Sequence, residues 1–195
     1  MKEHKFPLES LIGGWYIDPD ICNAIMLYFN AFRDQTGPGF AGEYYKQDSK
    51  VKESIDLGIS INQYHEPFIS YMDQLNHALH LYKKRYMIDE LLYRFSIDDV
   101  FNIQYYEKNK GYYVDHIEND GKNSRLKRCL VFMTYLNDVS DGGTIFKNQK
   151  ITTPAKQGLT LFWPAYYSHI HRGQISKTHD KYIVTGWYSF EENDK

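Results

Sequence analysis

The chain has 195 residues, 42% of them hydrophobic and 25% charged, with a formal net charge of -2. That length suits one domain able to bury a core without staples, and the near-neutral balance excludes a basic nucleic-acid surface. Cys22 and Cys129 are the only cysteines, too few for a disulfide framework, and they read as reduced core residues. No apolar run approaches the roughly 20 residues of a membrane span. The start, MKEHKFPLES, lacks an apolar signal region, so the expectation is a soluble, cytoplasmic protein. The 18 tyrosines suit either a wet pocket or an interface, and equally fit compositional drift.

Asp18 followed by Pro19 reads as an N-cap and first helical residue. Ile21, Ala24, Ile25, Tyr28, Phe29 and Phe32 recur at helical spacing, and the pattern stops near GPG at 37–39. Residues 40–59 have no clear period and include a polar loop, KQDSKVKES. A second helix starts near Ile61 or Pro67 and runs to Arg85, with Phe68, Tyr71, Met72, Leu75, Leu79 and Tyr82 on its apolar face. His77 and His80 sit three apart on it, a spacing open to metal ligands but commoner as plain helix surface. From Phe101 short β-branched and aromatic runs alternate with turn residues: FNIQYYE, GYYVDHIE, RCLVFMTYLN, DVSDGGTIF, QKITTPAKQGLTLFWP, SHIHRGQI and KYIVTGWYSF. Helices followed by many short strands indicate α+β, with a curled double sheet as the main body.

In a strand, side chains at i and i+2 share a face. His116 and Glu118 in GYYVDHIE then stand side by side, with Ile117 opposite. One imidazole and one carboxylate supply two parts of a 2-His-1-carboxylate metal site. Taken alone, the pair also fits an exposed polar strand edge. Downstream, His169 and His171 share parity as possible third ligands. Lys181 lies ten residues after His171, where Lys181, Ile183 and Thr185 face together. A lysine on the buried side of such a strand needs an anionic partner, and a dicarboxylate would supply one. Asp115 has the wrong parity for this site, and Asp120 falls in the following turn.

These pieces, in this order, resemble the iron(II)- and 2-oxoglutarate-dependent dioxygenases, most of all the prolyl 4-hydroxylase branch with its small microbial and phage-type members. The resemblance covers roughly residues 100–190 through IQYYEKNKGYYVDHIE, VFMTYLNDVSDGGTIF and ITTPAKQGLTLFWPAYYSHIHRG…KYIVTGW; GGWYID near the start is similar with less specificity. It implies a single domain over 1–195. About 1–95 would be a helix-rich support packed on the major sheet. About 96–195 would be a double-stranded β-helix, or jelly-roll, catalytic core. It implies His116, Glu118 and His171 as iron ligands, with His169 the rival of His171. It implies Lys181 and Tyr135 on the cosubstrate carboxylate, Thr185 as a second hydroxyl there, and Tyr113 either lining the pocket or packing. Glu118 departs from the pattern, since most members carry Asp at that place.

The implied activity is hydroxylation of a C–H bond, most like that of peptidyl proline, with release of succinate and carbon dioxide. The implied cofactors are iron(II), 2-oxoglutarate and dioxygen, with ascorbate as a further one. The implied partner is a peptide or protein, proline-rich in the simplest case, inside a bacterial or phage-infected cell, with no nucleic acid and no membrane. Candidate groove residues are Tyr44, Tyr45, Tyr166, Tyr167 and Trp163, with 40–60 as a lid. The competing readings are a 2-oxoglutarate oxygenase of a non-proline or small-molecule substrate, a cupin-type metal enzyme, and a non-catalytic jelly-roll binding module.

Overall fold

The computed structural model describes residues 1–40, 48–63, 65–122 and 125–191. In chain order these form β1 (Lys2–Glu3), β2 (Gly13–Tyr16), α1 (Pro19–Ala31), β3 (Gly37–Pro38), β4 (Ile55–Ser60) and α2 (Phe68–Tyr86). There follow β5 (Phe95–Ile97), β6 (Val100–Tyr106), β7 (Arg128–Tyr135), β8 (Thr144–Phe146), β9 (Ile151–Thr152), β10 (Leu159–Pro164), β11 (His171–Gly173) and β12 (Lys181–Phe190). No helix among the described residues is long and apolar enough to cross a membrane.

Both helices form where the sequence signals them. The Asp18 carboxylate accepts from the Asp20 N–H, Pro19 opens α1, and Cys22, Ile25 and Phe29 are its buried stripe. Helix α1 ends before the GPG stop, because Phe32 leaves helical geometry and the chain tightens into a 3-10 turn at Arg33–Gln35. Helix α2 starts after Pro67 and buries Phe68, Tyr71, Leu75, Ala78 and Tyr82. Lys83, Lys84 and Arg85 occupy its last turn, where the helix dipole favours cations. His77 and His80 lie on its exposed face.

The larger sheet runs β1-β2-β10-β7-β12-β6-β4-β3, with β5 paired to β12; the smaller runs β11-β8-β9. Among the described residues, neighbouring strands of the larger sheet pair antiparallel. Strand β7, RCLVFMTY, shows no polar alternation because both its faces are covered. Leu130 and Phe132 join the core under α1 and α2, while Val131, Met133 and Tyr135 join a second core with Phe146, Trp163 and Ile183. Two curled layers with helices on the outer face of the larger sheet make the expected α+β jelly roll. Gly143 has a steric cause: a Cβ there would fall 1.8 Å from the Thr153 carbonyl, so only glycine lets the β8–β9 arm close.

One expected strand is different. Residues 111–118 form no continuous strand; they make isolated bridges, Lys52 to Tyr112 and His116 to His171. His169 also leaves the expected strand face, since Tyr167–His169 is a 3-10 turn and β11 begins only at His171.

Candidate active site

His116 and His171 come together through the backbone. Each N–H donates to the other's carbonyl, at 2.9 and 3.0 Å. The Glu118 and Asn119 N–H groups both donate to the Ala165 carbonyl at the end of β10, and the Asn119 carboxamide donates to the Leu126 and Arg128 carbonyls. This pinning aims three side chains at one point although the segment is irregular. One donor atom from each of His116, Glu118 and His171 lies within 4.8 Å of the others. Glu118 Oε1 is 3.4 Å from His116 Nε2 and 3.5 Å from His171 Nε2.

Tautomers follow from the neighbours. His116 Nδ1 faces the Val114 carbonyl at 3.1 Å, and His171 Nδ1 faces the His169 carbonyl at 2.8 Å. A carbonyl only accepts, so each Nδ1 carries the proton and each Nε2 lone pair points at Glu118. Burial pushes the His171 imidazolium down, helped by His116, which keeps the ring neutral as a ligand requires. Burial also works to raise the Glu118 carboxyl; the charge that His116 and His171 carry when protonated at Nε2 outweighs it and holds Glu118 well below the usual carboxylate range. Two imidazole nitrogens and a carboxylate oxygen are a donor set that suits a first-row divalent ion with open positions.

His169 turns away from this point. Its Nε2 reaches the Ser10 carbonyl at 2.9 Å and its Nδ1 the Ser168 hydroxyl at 2.9 Å, and the ring is buried. Asp115 also faces outward, paired with Lys147 and Arg172 at 3.1 Å each. Asp120 accepts from the Lys122 N–H in its own turn.

A cavity of about 570 Å³ opens from the triad across the concave face of the larger sheet. Lys181, Tyr135, Thr185 and Trp163 line it. Lys181 is 5% exposed, and its Nζ donates to the Gly142 carbonyl at 3.1 Å and the Gln174 carbonyl at 3.0 Å. Burial pulls its ammonium from 10.5 down to about 8, with Asp141 opposing from a distance. A methyl group on Gly173 would sit 3.4 Å from Nζ, so the bare backbone there leaves space beside the cation. The Tyr135 hydroxyl meets Thr144 Oγ1 at 2.7 Å and Thr153 Oγ1 at 2.9 Å. Thr185 Oγ1 donates to the Phe132 carbonyl at 3.2 Å.

Tyr113 does not line the cavity: its hydroxyl donates to Glu53 at 2.5 Å. Its neighbour Tyr112 does, stacked on the His116 ring at 3.8 Å and 18°. Tyr166 and Tyr167 are exposed and outside the cavity lining, and Tyr44 and Tyr45 lie outside the described residues. The sequence reading missed Trp187, whose Nε1 donates to Glu118 Oε2 at 2.8 Å. Strand parity carries it there, one step beyond Lys181, Ile183 and Thr185. It also missed Arg128, whose guanidinium lies 3.7 Å from the Trp187 ring centroid.

Residues 101–189 match the family described as the 2OG-Fe(II) oxygenase superfamily. That match and the His/Glu/His cluster together imply iron(II) and 2-oxoglutarate. Among solved structures, a viral collagen prolyl hydroxylase from Paramecium bursaria Chlorella virus-1, in complex with 2OG, is similar at 17% identity. Its TM-score is 0.69, over 93% of this chain and 97% of that one. A Pseudomonas putida prolyl-4-hydroxylase is similar at 10% identity and TM-score 0.68, over 95% and 97% of the two chains. A Trichoplax adhaerens prolyl hydroxylase, in complex with a hypoxia inducible factor oxygen degradation domain peptide, is similar at 14% identity and TM-score 0.70, over 93% and 86%. No curated protein matches the sequence.

Proposed function

We propose that this oxygenase hydroxylates proline in a peptide, with His116, Glu118 and His171 holding iron(II) and Lys181 holding the far carboxylate of 2-oxoglutarate. The observation that carries the reading is Lys181: a buried ammonium, lining the same cavity as the triad, whose hydrogen bonds among the described residues go to two carbonyls and no carboxylate. Such a group gains a charge-assisted contact when a diacid arrives. When bound, iron(II) and 2-oxoglutarate would let dioxygen act as the oxidant, one oxygen atom going to the C–H bond and the other to succinate as carbon dioxide is lost.

The chain's own residues orient and exclude. The Val114 and His169 carbonyls fix the two imidazoles with Nε2 free. Phe146 and Trp163 pack around the His171 ring, with centroids at 5.5 and 5.1 Å, and keep water from that side. Tyr135, its hydroxyl shared with Thr144 and Thr153, supplies a polar wall beside Lys181, and Thr185 supplies a second. The proline assignment rests on fold similarity to prolyl hydroxylases and on a cavity large enough for a residue of an extended chain.

The test is succinate release from 2-oxoglutarate and iron(II), with and without (Pro-Pro-Gly) repeat peptides. The expected result is succinate in both cases, more with peptide, and one added oxygen on proline. Succinate with no peptide oxidation or stimulation would replace proline by another substrate. No succinate from wild type, under conditions that keep it folded, would leave a binding module instead.

A further inference from the structure

Lys181 is held by two loops, the turn 139–143 ahead of β8 and the connection 174–180 between β11 and β12. Each lends it one carbonyl, Gly142 at 3.1 Å and Gln174 at 3.0 Å. The residues around that pair tie the loops to each other. The Gln174 N–H donates to the Gly143 carbonyl at 2.7 Å, and the Gly143 N–H donates to Gln174 Oε1 at 3.1 Å. Asp141 then gathers three donors from the second loop. The Thr178 and Ser176 hydroxyls reach its Oδ1 at 2.6 and 2.9 Å, and the Lys177 N–H reaches its Oδ2 at 2.7 Å. The Thr178 hydroxyl and the Lys177 N–H hold the Asp141 carboxyl down to about 2, so this clasp stays ionised through the neutral range. The Ser176 carbonyl accepts from the Asn109 N–H at 2.7 Å, which pins the same loop to the turn after β6.

We propose that Asp141 is a positioning residue for the cosubstrate: by clasping 174–180 it fixes the carbonyl cage around Lys181, and the cavity then selects a diacid by its length. The inference rests on the reading of Lys181 above. An ammonium has three N–H bonds; the cage takes two and leaves one for a carboxylate. The place of Nζ relative to the triad is then set by the clasped loops and not by the lysine stem, which on its own has many rotamers. A diacid held at one end by the metal meets a fixed cation at the other. One methylene more would need Nζ to retreat, and two carbonyls that the clasp keeps in place block that retreat. With the clasp cut, the loops yield, the lysine follows, and the preference for the shorter diacid relaxes.

The experiment measures, by calorimetry on the Mn(II)-loaded full chain, the dissociation constants of 2-oxoglutarate and of 2-oxoadipate, which is one methylene longer. Wild type should favour 2-oxoglutarate about 100-fold. Asp141→Ala should weaken 2-oxoglutarate about tenfold and leave 2-oxoadipate unchanged, so the preference falls by the same factor. Thr178→Val, an exposed change that removes the shortest of the three bonds, should act in the same direction by less. Asp138→Ala is the matched control. Its carboxylate takes Lys156 Nζ at 3.0 Å and the Gln157 N–H at 2.7 Å, away from the cage, and its loss should leave the preference as it was. No change or an equal loss for both diacids in Asp141→Ala, a like shift in Asp138→Ala, or a wild type that binds both diacids alike would reduce the clasp to a stabilising contact and overturn the proposal. Unchanged 2-oxoglutarate binding in Lys181→Met would overturn the cosubstrate reading instead, which separates the two failures.

Discussion

Lys52 and Lys181 are equally buried, at 5% exposure, and both line the cavity of the triad. Their surroundings differ in kind. Lys52 Nζ lies 2.8 Å from Asp56 Oδ2, and that carboxylate also receives the Ser54 hydroxyl and the Gln104 amide. Gln104 accepts from the Tyr106 hydroxyl, so every charge in this network is met inside the protein. Lys181 has two carbonyls and no carboxylate at contact distance among the described residues. Burial therefore does not mark a ligand-binding lysine. On the reading proposed above, what marks it is a buried positive charge with no carboxylate at contact distance among the described residues.

The comparison breaks most visibly at Lys52. Changing Lys52 to Met strands Asp56 in the cavity wall and should cost about 3 kcal/mol, measured by chemical denaturation. Lys181→Met should do the reverse: the metal-free protein keeps or gains stability, while KM for 2-oxoglutarate rises about 30-fold in succinate assays. Equal loss of stability in the two variants, or an unchanged KM in the second, would erase the distinction.

A pH series sharpens it further. The folded pKa of Lys181 is depressed from 10.5 to about 8, so below pH 8 both states carry the proton and the full penalty is present. Between about pH 8 and 10.5 the unfolded chain binds the extra proton, and stability should rise with pH. That rise should vanish in Lys181→Met. Over the same range KM for 2-oxoglutarate should climb by up to about tenfold per pH unit as the ammonium is lost. The smallest effect belongs to Thr185→Val. It removes the side-chain donor from the Phe132 carbonyl, should cost about 1 kcal/mol at most, and should move KM only a few-fold.

The fold was legible where burial is periodic. Helices α1 and α2 and strands β6, β7, β10 and β12 follow from spacing and turn residues, because their side-chain faces meet a continuous core. The irregular segment 111–118 was not, since its shape comes from hydrogen bonds to β10 and β11 that no local pattern encodes. Parity assigned His116 and Glu118 to one face of a strand; in the structure the two converge through those tertiary bonds. Tyr112 had no signal for the same reason, and Tyr113 turns to Glu53. The Lys52–Asp56 network depends on Asp56 pairing opposite Gln104, a register that only the assembled sheet sets. Trp187 could have been found by extending the alternation of β12 one more step. Of the expected lid, 40–60, residues 41–47 lie outside those described and Ile55–Ser60 is strand β4, fixed in the larger sheet, while Phe40, Lys52, Asp56 and Gly58 line the cavity.

The paired backbone bonds between His116 and His171 join segments far apart in the chain. In an unfolded polypeptide the three donors scatter, and a divalent ion has nothing comparable to hold. Binding then favours the native state alone, by about 2.7 kcal/mol once free metal exceeds its dissociation constant a hundredfold. Iron would act as a staple as well as a reagent. A chelator should lower the melting temperature even with no substrate present, and the folded fraction in a cell would track its supply of iron.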